Sequence, residues 1–216
     1  MRDALSLSGV VLEARPVGEY DRRLVLLTRE RGRITAFARG ARRTKSPLLA
    51  ATNPFVFAVF TLYEGRDAYT LVQADVRDYF TSLASAIPGV FYGFYFLELA
   101  GWYTREGLEA GEIVNLLFVS LRALVRDLQP VEMIRSIFEL RMLSENGEYS
   151  PALDASLEDP YVRNALAYAA SAPPGRLYGF VLTEEQQHLF RSVVKKHFAA
   201  SCDKSFKTLA VIDEMK

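Results

Sequence analysis

The chain has 216 residues, of which 50% are hydrophobic and 24% charged, and its formal net charge is zero. This is the composition of a folded soluble protein with one or two domains. No apolar run reaches the ~20 residues that span a bilayer, and a single cysteine, Cys202, excludes an intramolecular disulfide framework. The start of the chain lacks a signal-peptide pattern, so we expect a cytoplasmic protein with no membrane association.

The zero net charge hides a difference between two parts of the chain. Residues 1–80 carry 13 basic and 9 acidic side chains, a net charge of +4, whereas residues 81–216 carry 13 and 17, a net charge of −4. Within the second part, residues 188–207 are basic again. This polarity predicts that the two poles have different partners.

The first 80 residues predict five short strands. Apolar and polar residues alternate within each strand, and Gly, Pro and Asp mark the connections. We expect Pro16 to end the first strand and Gly32 to adopt the positive φ that a tight turn requires. The predicted strands are 4–14, 22–28, 34–39, 55–63 and 68–77, with a short helical turn at 47–50.

Five short strands joined by tight turns fit a small closed or nearly closed barrel. The OB-fold is the five-stranded barrel best known for binding oligonucleotides. Periodicity alone leaves an SH3-like barrel and an open sheet as alternatives.

After Asp78 the hydrophobic period changes, which indicates helices. Pro88 suits the first turn of an apolar helix, and residues 183–186 form a capping box. The predicted helices are 88–104, 112–128, 131–144, 160–172, 184–200 and 205–214. The predicted fold class is therefore α+β, a β-barrel plus an all-α part: an N-terminal five-stranded OB-fold that binds nucleic acid, residues 1–80, and a C-terminal helical domain, residues 81–216.

The segment 29–45 is the strongest candidate for a functional site. It carries seven basic residues and one acid, Glu30, interleaved with small apolar residues and glycine. Bases beside a half-buried strand suit a phosphate backbone, although a charge run of this kind is often only a solvated hairpin. The candidate DNA-binding residues are Arg29, Arg31, Arg33, Arg39, Arg42, Arg43 and Lys45.

Aromatic residues occur in two places where a base could stack. Phe37 lies among the candidate bases, but we expect it in the barrel core. The aromatic residues within 91–103 lie at helical spacing, so we also expect them in a core. Neutralising five phosphates on a single strand would give a slope of log K against log salt of roughly −3.5.

No active site, metal site or cofactor is predicted. Residues 40–46 only superficially resemble a phosphate-binding loop, because the spacing is one residue too short and no strand–loop–helix context surrounds them. His188 and His197 are too far apart on one helix to share a metal, and Cys202 has no orienting partner. A nuclease is a weaker alternative, since no carboxylate cluster for Mg²⁺ is formed by the acids near the barrel, Glu13, Glu19, Asp21 and Glu64.

Short motifs occur in a fixed order along nearly the whole chain. They are GEYDR at 18–22, LLTRERG at 26–32, FARGARR at 37–43 followed by KS at 45–46, LYEGR at 62–66, YFLEL at 95–99, FELRML at 138–143, PALD at 151–154 and KSFK at 204–207. No single motif is decisive, but the ordered set resembles the RecO family of bacterial DNA-repair and recombination mediator proteins.

The resemblance implies an OB-fold, a helical domain and no catalysis. Family members bind single- and double-stranded DNA, anneal complementary strands and help RecA replace single-strand-binding protein, usually with RecR. A second basic patch would hold a second strand or the acidic C-terminal tail of single-strand-binding protein: Arg191, Lys195, Lys196, Lys204 and Lys207. Candidates for the rim of a tail-binding groove, which can equally form ordinary ion pairs within their helices, are Arg122, Arg126 and Arg135.

Many members of the family carry a four-cysteine zinc module just after the Leu-Asp pair that matches residues 153–154. Here Ser156 stands near the expected first ligand, and one cysteine cannot build a tetrahedral Cys₄ site, so we expect no structural zinc. We expect packing to hold the segment 155–180 instead, through Tyr161, Val162, Leu166, Tyr168 and Tyr178.

The main alternative is a protein-interaction adaptor with no direct role on DNA. In that case the barrel binds a partner, and the arginine-rich segment contacts an acidic protein surface. Salt-dependent retention on DNA-cellulose separates the two hypotheses, because an adaptor need not bind DNA.

Overall fold

The computed structural model describes residues 4–214, and the N-terminal part is a closed five-stranded barrel. The strands follow the order β1-β2-β3-β5-β4, with β1 pairing β4 to close the barrel, and only the β3–β5 pair is parallel. This order is that of the OB-fold, so the predicted fold is confirmed and the open sheet is excluded. The strands are β1 (Ala4–Val17), β2 (Asp21–Thr28), β3 (Gly32–Ala38), β4 (Phe57–Glu64) and β5 (Tyr69–Asp78).

The period-2 pattern of each strand places one set of side chains inside the barrel. The small residues Ala36 and Ala38 on β3 leave room in the narrow interior for larger side chains from other strands, such as Phe60 and Leu62. The buried core includes Leu7, Val11, Leu24, Leu26, Ile34, Ala36, Ala38, Phe60, Leu62 and Leu71.

Strand β1 is longer than predicted. Pro16 pairs with Arg22 and Val17 with Asp21, so the expectation that Pro16 ends the strand is wrong. The reason is that β4 pairs only with Ala4–Val10, which leaves the far half of β1 with a single neighbour, β2. Proline is tolerated on such an edge because its missing N–H faces no partner strand.

The helices are α1 (Leu48–Ala51), α2 (Gly89–Tyr103), α3 (Gly111–Arg126), α4 (Val131–Glu145), α5 (Pro160–Ser171), α6 (Glu184–Ser201) and α7 (Lys207–Glu214). The capping signals lie where the sequence predicts them. Asp159 accepts two backbone N–H groups at the start of α5, and Thr183 and Gln186 form the capping box of α6. None of the helices within residues 4–214 is long and apolar enough to cross a bilayer.

The chain divides into two compact units. One consists of Met1–Thr81 with Leu97–Val114, and the other of Ser82–Phe96 with Asn115–Lys216. The division into independent domains at residue 80 stays a prediction. The observed division assigns the additional segment Leu97–Val114 to the unit that contains the barrel.

Several aromatic residues pack in the core of the helical unit. Phe96 stacks on Phe138 with ring centroids 4.1 Å apart, and Tyr95 meets Phe206 edge to face at 5.4 Å. The expectation that the aromatic residues of 91–103 are core therefore holds for Tyr95 and Phe96, whereas it is wrong for Phe94, which is 40% exposed, and Trp102, which is 48% exposed.

The segment 155–180 is packed largely as predicted. Val162, Leu166 and Tyr178 are buried, and Tyr168 meets Phe180 edge to face at the surface. Tyr161 is 69% exposed, so its assignment to this packing is wrong; the helical period of α5 turns it outward.

A polar cluster precedes this segment. Asp154 accepts a hydrogen bond from the Tyr149 hydroxyl at 2.9 Å and lies 3.0 Å from Nε2 of His197. The cluster fastens the turn at residues 151–154 to α6. Within residues 4–214, no group of three or more His, Cys, Asp or Glu side chains could hold a metal ion.

Gly32 is the glycine whose replacement should be most harmful to the barrel. It has a φ of +64°, and a Cβ there would overlap the carbonyl oxygens of Arg105 and Leu108 in the same unit. We expect Gly32→Ala to lower the free energy of unfolding by about 3 kcal/mol or more, measured by urea denaturation. Gly18→Ala is the matched control, because φ there is +56° but nothing lies within 4 Å of the added Cβ. Equal losses in the two variants would contradict the overlap.

Candidate nucleic-acid interface

One row of side chains crosses the outer face of the barrel. Directly opposed residues on neighbouring strands point to the same face of a sheet. The pairing places Arg15 opposite Arg23, Arg23 opposite Phe37, Phe37 opposite Thr70, and Thr70 opposite Tyr63. We call these five residues the outer row.

The outer row presents aromatic and basic groups to solvent. Phe37 is 36% exposed and Tyr63 is 39% exposed. Neighbouring strands are about 5 Å apart, and β5 lies between the strands of these two residues. The Cα atoms of Phe37 and Tyr63 are therefore roughly 10 Å apart. The expectation that Phe37 is a core residue is wrong, because the inward positions of β3 are taken by Ile34, Ala36 and Ala38.

The basic loop, residues 40–46, begins three residues after Phe37, the member of the outer row on its middle strand, β3. Arg39, Arg42, Arg43 and Lys45 are exposed in or beside this loop. The structure therefore brings four of the seven predicted DNA-binding residues together. Their shared position beside the row places positive charge next to the exposed rings.

The basic loop is tied to the β1–β2 turn, residues 18–20. Gly40 N–H donates to Oδ1 of Asp21 at 2.7 Å, and Arg42 N–H donates to the Tyr20 carbonyl at 2.8 Å. The Arg42 guanidinium donates to the carbonyls of Gly18 and Glu19 at 3.3 and 3.0 Å. The turn and the loop thus form one surface.

Tyr20 and Arg43 meet on this surface. The Arg43 guanidinium carbon lies 5.1 Å from the centroid of the Tyr20 ring, within cation–π range, and Tyr20 is 43% exposed. The ring holds the guanidinium in place while both remain accessible to a ligand.

Arg22 serves the fold beneath this surface. Its guanidinium donates to the Leu49 carbonyl at 3.0 Å, to Oγ1 of Thr52 at 2.7 Å and to Oδ1 of Asn53 at 2.9 Å. Burial, followed by the nearby positive charge of Arg42, lowers the pKa of Arg22. Arg22 therefore fastens the α1 region to β2.

The other three predicted residues lie at the opposite end of β3. Arg33 and Arg39 are six residues apart, or roughly 20 Å along a strand. The carbonyls of Arg29 and Arg31 accept hydrogen bonds from Ala110 and Gly107, and the Arg33 guanidinium donates to the Gly101 carbonyl. The seven predicted DNA-binding residues therefore form two groups, and the second group is hydrogen-bonded to residues 101–110.

The second basic patch is also divided. Arg191 and Lys195 line a groove of about 670 Å³ with Arg135 of α4, whereas Lys196 lines a different groove beside Asp154. Beyond α6, the Lys204 ammonium lies 5.1 Å from the centre of the Phe206 ring, and Lys207 is exposed at the start of α7.

The three tail-binding candidates have different surroundings. Arg135 is paired with buried Glu139 at 2.8 Å, so for this residue the ion-pair alternative holds. Arg122 lies over the Phe118 ring at 5.2 Å, and Arg126 is exposed in the last turn of α3. Of the three, only Arg135 lines the groove that contains Arg191 and Lys195.

Sequence reasoning missed four members of this interface. Arg15, Arg23 and Tyr63 belong to the outer row, and the Tyr20 ring packs against the Arg43 guanidinium. The signal for the row was present in the period-2 alternation, but choosing which strands are neighbours requires the barrel order. The contact of Tyr20 with Arg43 spans 23 residues and has no local signature.

An OB-fold barrel with exposed aromatic and basic side chains on its outer face belongs to the class of oligonucleotide-binding folds. Residues 1–80 match the family model described as Recombination protein O N terminal. The N-terminal barrel therefore belongs to the RecO N-terminal family, and the resemblance of the chain to the RecO family is confirmed.

Three relatives show how far the similarity extends. The DNA repair protein RecO of Alkaliphilus metalliredigens is 37% identical over 143 residues, which cover 66% of this chain and 58% of that protein. The protein of the same name from Acetivibrio thermocellus is 31% identical over 155 residues, 71% and 61% of the two chains. That of Frankia casuarinae is 35% identical over 148 residues, 68% and 60%. This chain thus spans about three fifths of the length of these relatives.

Proposed function

We propose that this protein is a non-catalytic DNA-binding mediator of recombinational repair. The observation that carries the proposal is the outer row with the basic loop beside it, on a barrel of the RecO N-terminal family. The relatives named DNA repair protein RecO support the role in repair. The protein would act at the nucleoid, in the cytoplasm.

The interface suits nucleic-acid backbone without sequence preference. Arg39, Arg43 and Lys45 would contact phosphates, and Arg23 would extend the positive surface along the row. Phe37 and Tyr63 would stack bases, which requires unpaired bases and tolerates any sequence because every base has a π-face. This arrangement favours single strands at the row, while the basic side chains of the loop would contact the phosphates of single or double strands.

Annealing would need a place for a second strand. Arg191 and Lys195 of α6, with Lys204 and Lys207 further along, supply positive charge in the helical unit. We infer that this charge holds the complementary strand or the acidic tail of single-strand-binding protein. With RecR, the protein would then help RecA replace single-strand-binding protein.

The proposal is tested by mobility shifts on single-stranded, duplex and gapped DNA, with and without RecR, together with annealing of complementary oligonucleotides. We expect binding to all three DNAs, annealing without ATP or Mg²⁺, and intact DNA after incubation with Mg²⁺. Failure to be retained on DNA-cellulose at low salt would favour the adaptor instead.

Stacking on Phe37 can be measured separately from charge. We expect Phe37→Ala to weaken binding of single-stranded DNA about tenfold, because a stacked base contributes roughly 1–3 kcal/mol. The slope of log K against log salt should stay the same, because no phosphate contact is lost. Fluorescence anisotropy with a labelled oligonucleotide measures both quantities.

The control for this experiment is Tyr161→Ala, which removes a 69% exposed aromatic residue from α5. It should leave affinity unchanged. Equal losses in both variants, or an unchanged affinity for Phe37→Ala, would contradict stacking at the outer row.

A further inference from the structure

We propose that Arg42 is a positioning residue, which fixes the β1–β2 turn to the basic loop and thereby holds Arg43 in place for DNA. The sequence motif places Arg42 beside Arg43 as an equivalent phosphate ligand, and the structure distinguishes the two. The proposal rests on the proposed DNA-binding function.

The hydrogen bonds of Arg42 are directed into the protein. Its guanidinium donates to the carbonyls of Gly18 and Glu19, and its backbone N–H donates to the carbonyl of Tyr20. One residue therefore binds all three consecutive carbonyls of the turn. A guanidinium donates in a fixed planar fork, so the bonds to two adjacent carbonyls set its direction.

The turn lies on the surface of the protein. Gly18, Glu19 and Tyr20 are all exposed, and nothing lies within 4 Å of the position of a Cβ at Gly18. An exposed turn of this kind depends on its hydrogen bonds for order. The bond from Gly40 N–H to Asp21 supports the end of the turn, while Arg42 supports its tip.

A fixed turn conformation restricts the Arg43 side chain, because Tyr20 of the turn contacts it. The Tyr20 ring lies under the Arg43 guanidinium at 5.1 Å and limits where that side chain can go. Holding a flexible basic side chain in a binding orientation lowers the entropy lost when DNA binds. Arg42 thus contributes to affinity through Tyr20 and Arg43.

The test is a double-mutant cycle on the full chain. Single-strand affinity is measured by fluorescence anisotropy for Arg42→Ala, Arg43→Ala and the combined variant between 50 and 300 mM salt, about the range in which phosphate contacts dominate. A residue that acts through another gives non-additive losses. We expect each single variant, and also the double variant, to bind about fivefold more weakly at 0.1 M salt.

Independent phosphate contacts would give a different result. The double variant would then bind about 25-fold more weakly, and its salt slope would fall by about 1.4 instead of about 0.7. That outcome would overturn the positioning role while leaving the proposed DNA-binding function intact.

A second readout needs no DNA. In amide hydrogen exchange of the free protein, Arg42→Ala should accelerate exchange at residues 18–21 and at position 42, whereas Arg43→Ala should not. Arg42→Lys retains a donor that can reach a turn carbonyl, and should restore part of the protection and of the affinity. Unchanged exchange in Arg42→Ala would overturn the proposal. If exchange is altered in Arg42→Ala but the wild-type protein binds no DNA, the proposed function alone is refuted, and Arg42 only stabilises the turn.

Discussion

Replacing Arg39 and Arg43 together by alanine is expected to weaken binding of single-stranded DNA about 25-fold at 0.1 M salt. Each phosphate contact on a single strand contributes about 0.7 to the salt slope, which is about fivefold in affinity at this salt concentration. The slope itself should fall in magnitude by about 1.4. Both residues are exposed in or beside the basic loop, so the fold should be unaffected.

The matched control removes the same two charges elsewhere. Arg122 and Arg126 lie on α3 in the helical unit, and both are exposed. Their double alanine variant changes the net charge equally and should retain at least half of the wild-type affinity. A loss shared equally by the two double variants would show that net charge, and not this loop, governs binding.

Removing Arg135 is expected to have the largest effect on stability. Its guanidinium pairs with the carboxylate of Glu139, which is 2% exposed and also accepts the Tyr95 hydroxyl at 2.7 Å. We expect Arg135→Met to lower the free energy of unfolding by about 3–5 kcal/mol at pH 7.5, because it leaves a buried carboxylate without its cation. Urea denaturation measures this loss.

The loss should depend on pH in a defined direction. Burial raises the pKa of Glu139 above its ordinary value, although Arg135 and the Tyr95 hydroxyl favour the carboxylate. Without Arg135 this pKa rises further. A group whose pKa is higher in the folded state contributes stability below its unfolded pKa, and this contribution is lost as the pH rises through the folded pKa. The deficit of Arg135→Met relative to wild type should therefore shrink between pH 7.5 and pH 5.

Glu139→Gln provides the control for this explanation. Combined with Arg135→Met, it removes the charge that would otherwise be buried alone, so the double variant should regain much of the stability and lose the pH dependence. A deficit in Arg135→Met that is the same at pH 5 and pH 7.5 would show that lost packing of the arginine side chain, and not the unpaired carboxylate, causes it.

The elements of the fold follow mostly from local patterns. The alternation of the strands, the capping box at Thr183 and the aspartate cap at Asp159 are short-range signals, and the structure confirms the elements that they predict. The expectation that Pro16 ends β1 is wrong because tolerance of proline depends on whether a second strand lies alongside. The expectation that Phe37 lies in the core is wrong because, although its size suggests burial, small residues such as Ala36 and Ala38 fill the interior beside it.

The candidate site was only partly visible in the sequence. The basic loop appears as a local excess of charge, but the sequence cannot distinguish Arg42, which is bound to the β1–β2 turn, from Arg43 next to it. Arg33 likewise donates to a carbonyl 68 residues away. These distinctions depend on tertiary contacts, which the order of charged residues along the sequence does not predict.

The central claim is that the outer row and basic loop bind single-stranded nucleic acid through its backbone and bases. The most direct measurement is a titration of the full chain with a labelled single-stranded oligonucleotide over a series of salt concentrations, with annealing of the complementary strand followed in the same samples. We expect a slope of log K against log salt of roughly −2.8, corresponding to about four phosphate contacts, by Arg23, Arg39, Arg43 and Lys45, and faster annealing than without protein. A slope near zero, with annealing no faster than in buffer, would contradict the account.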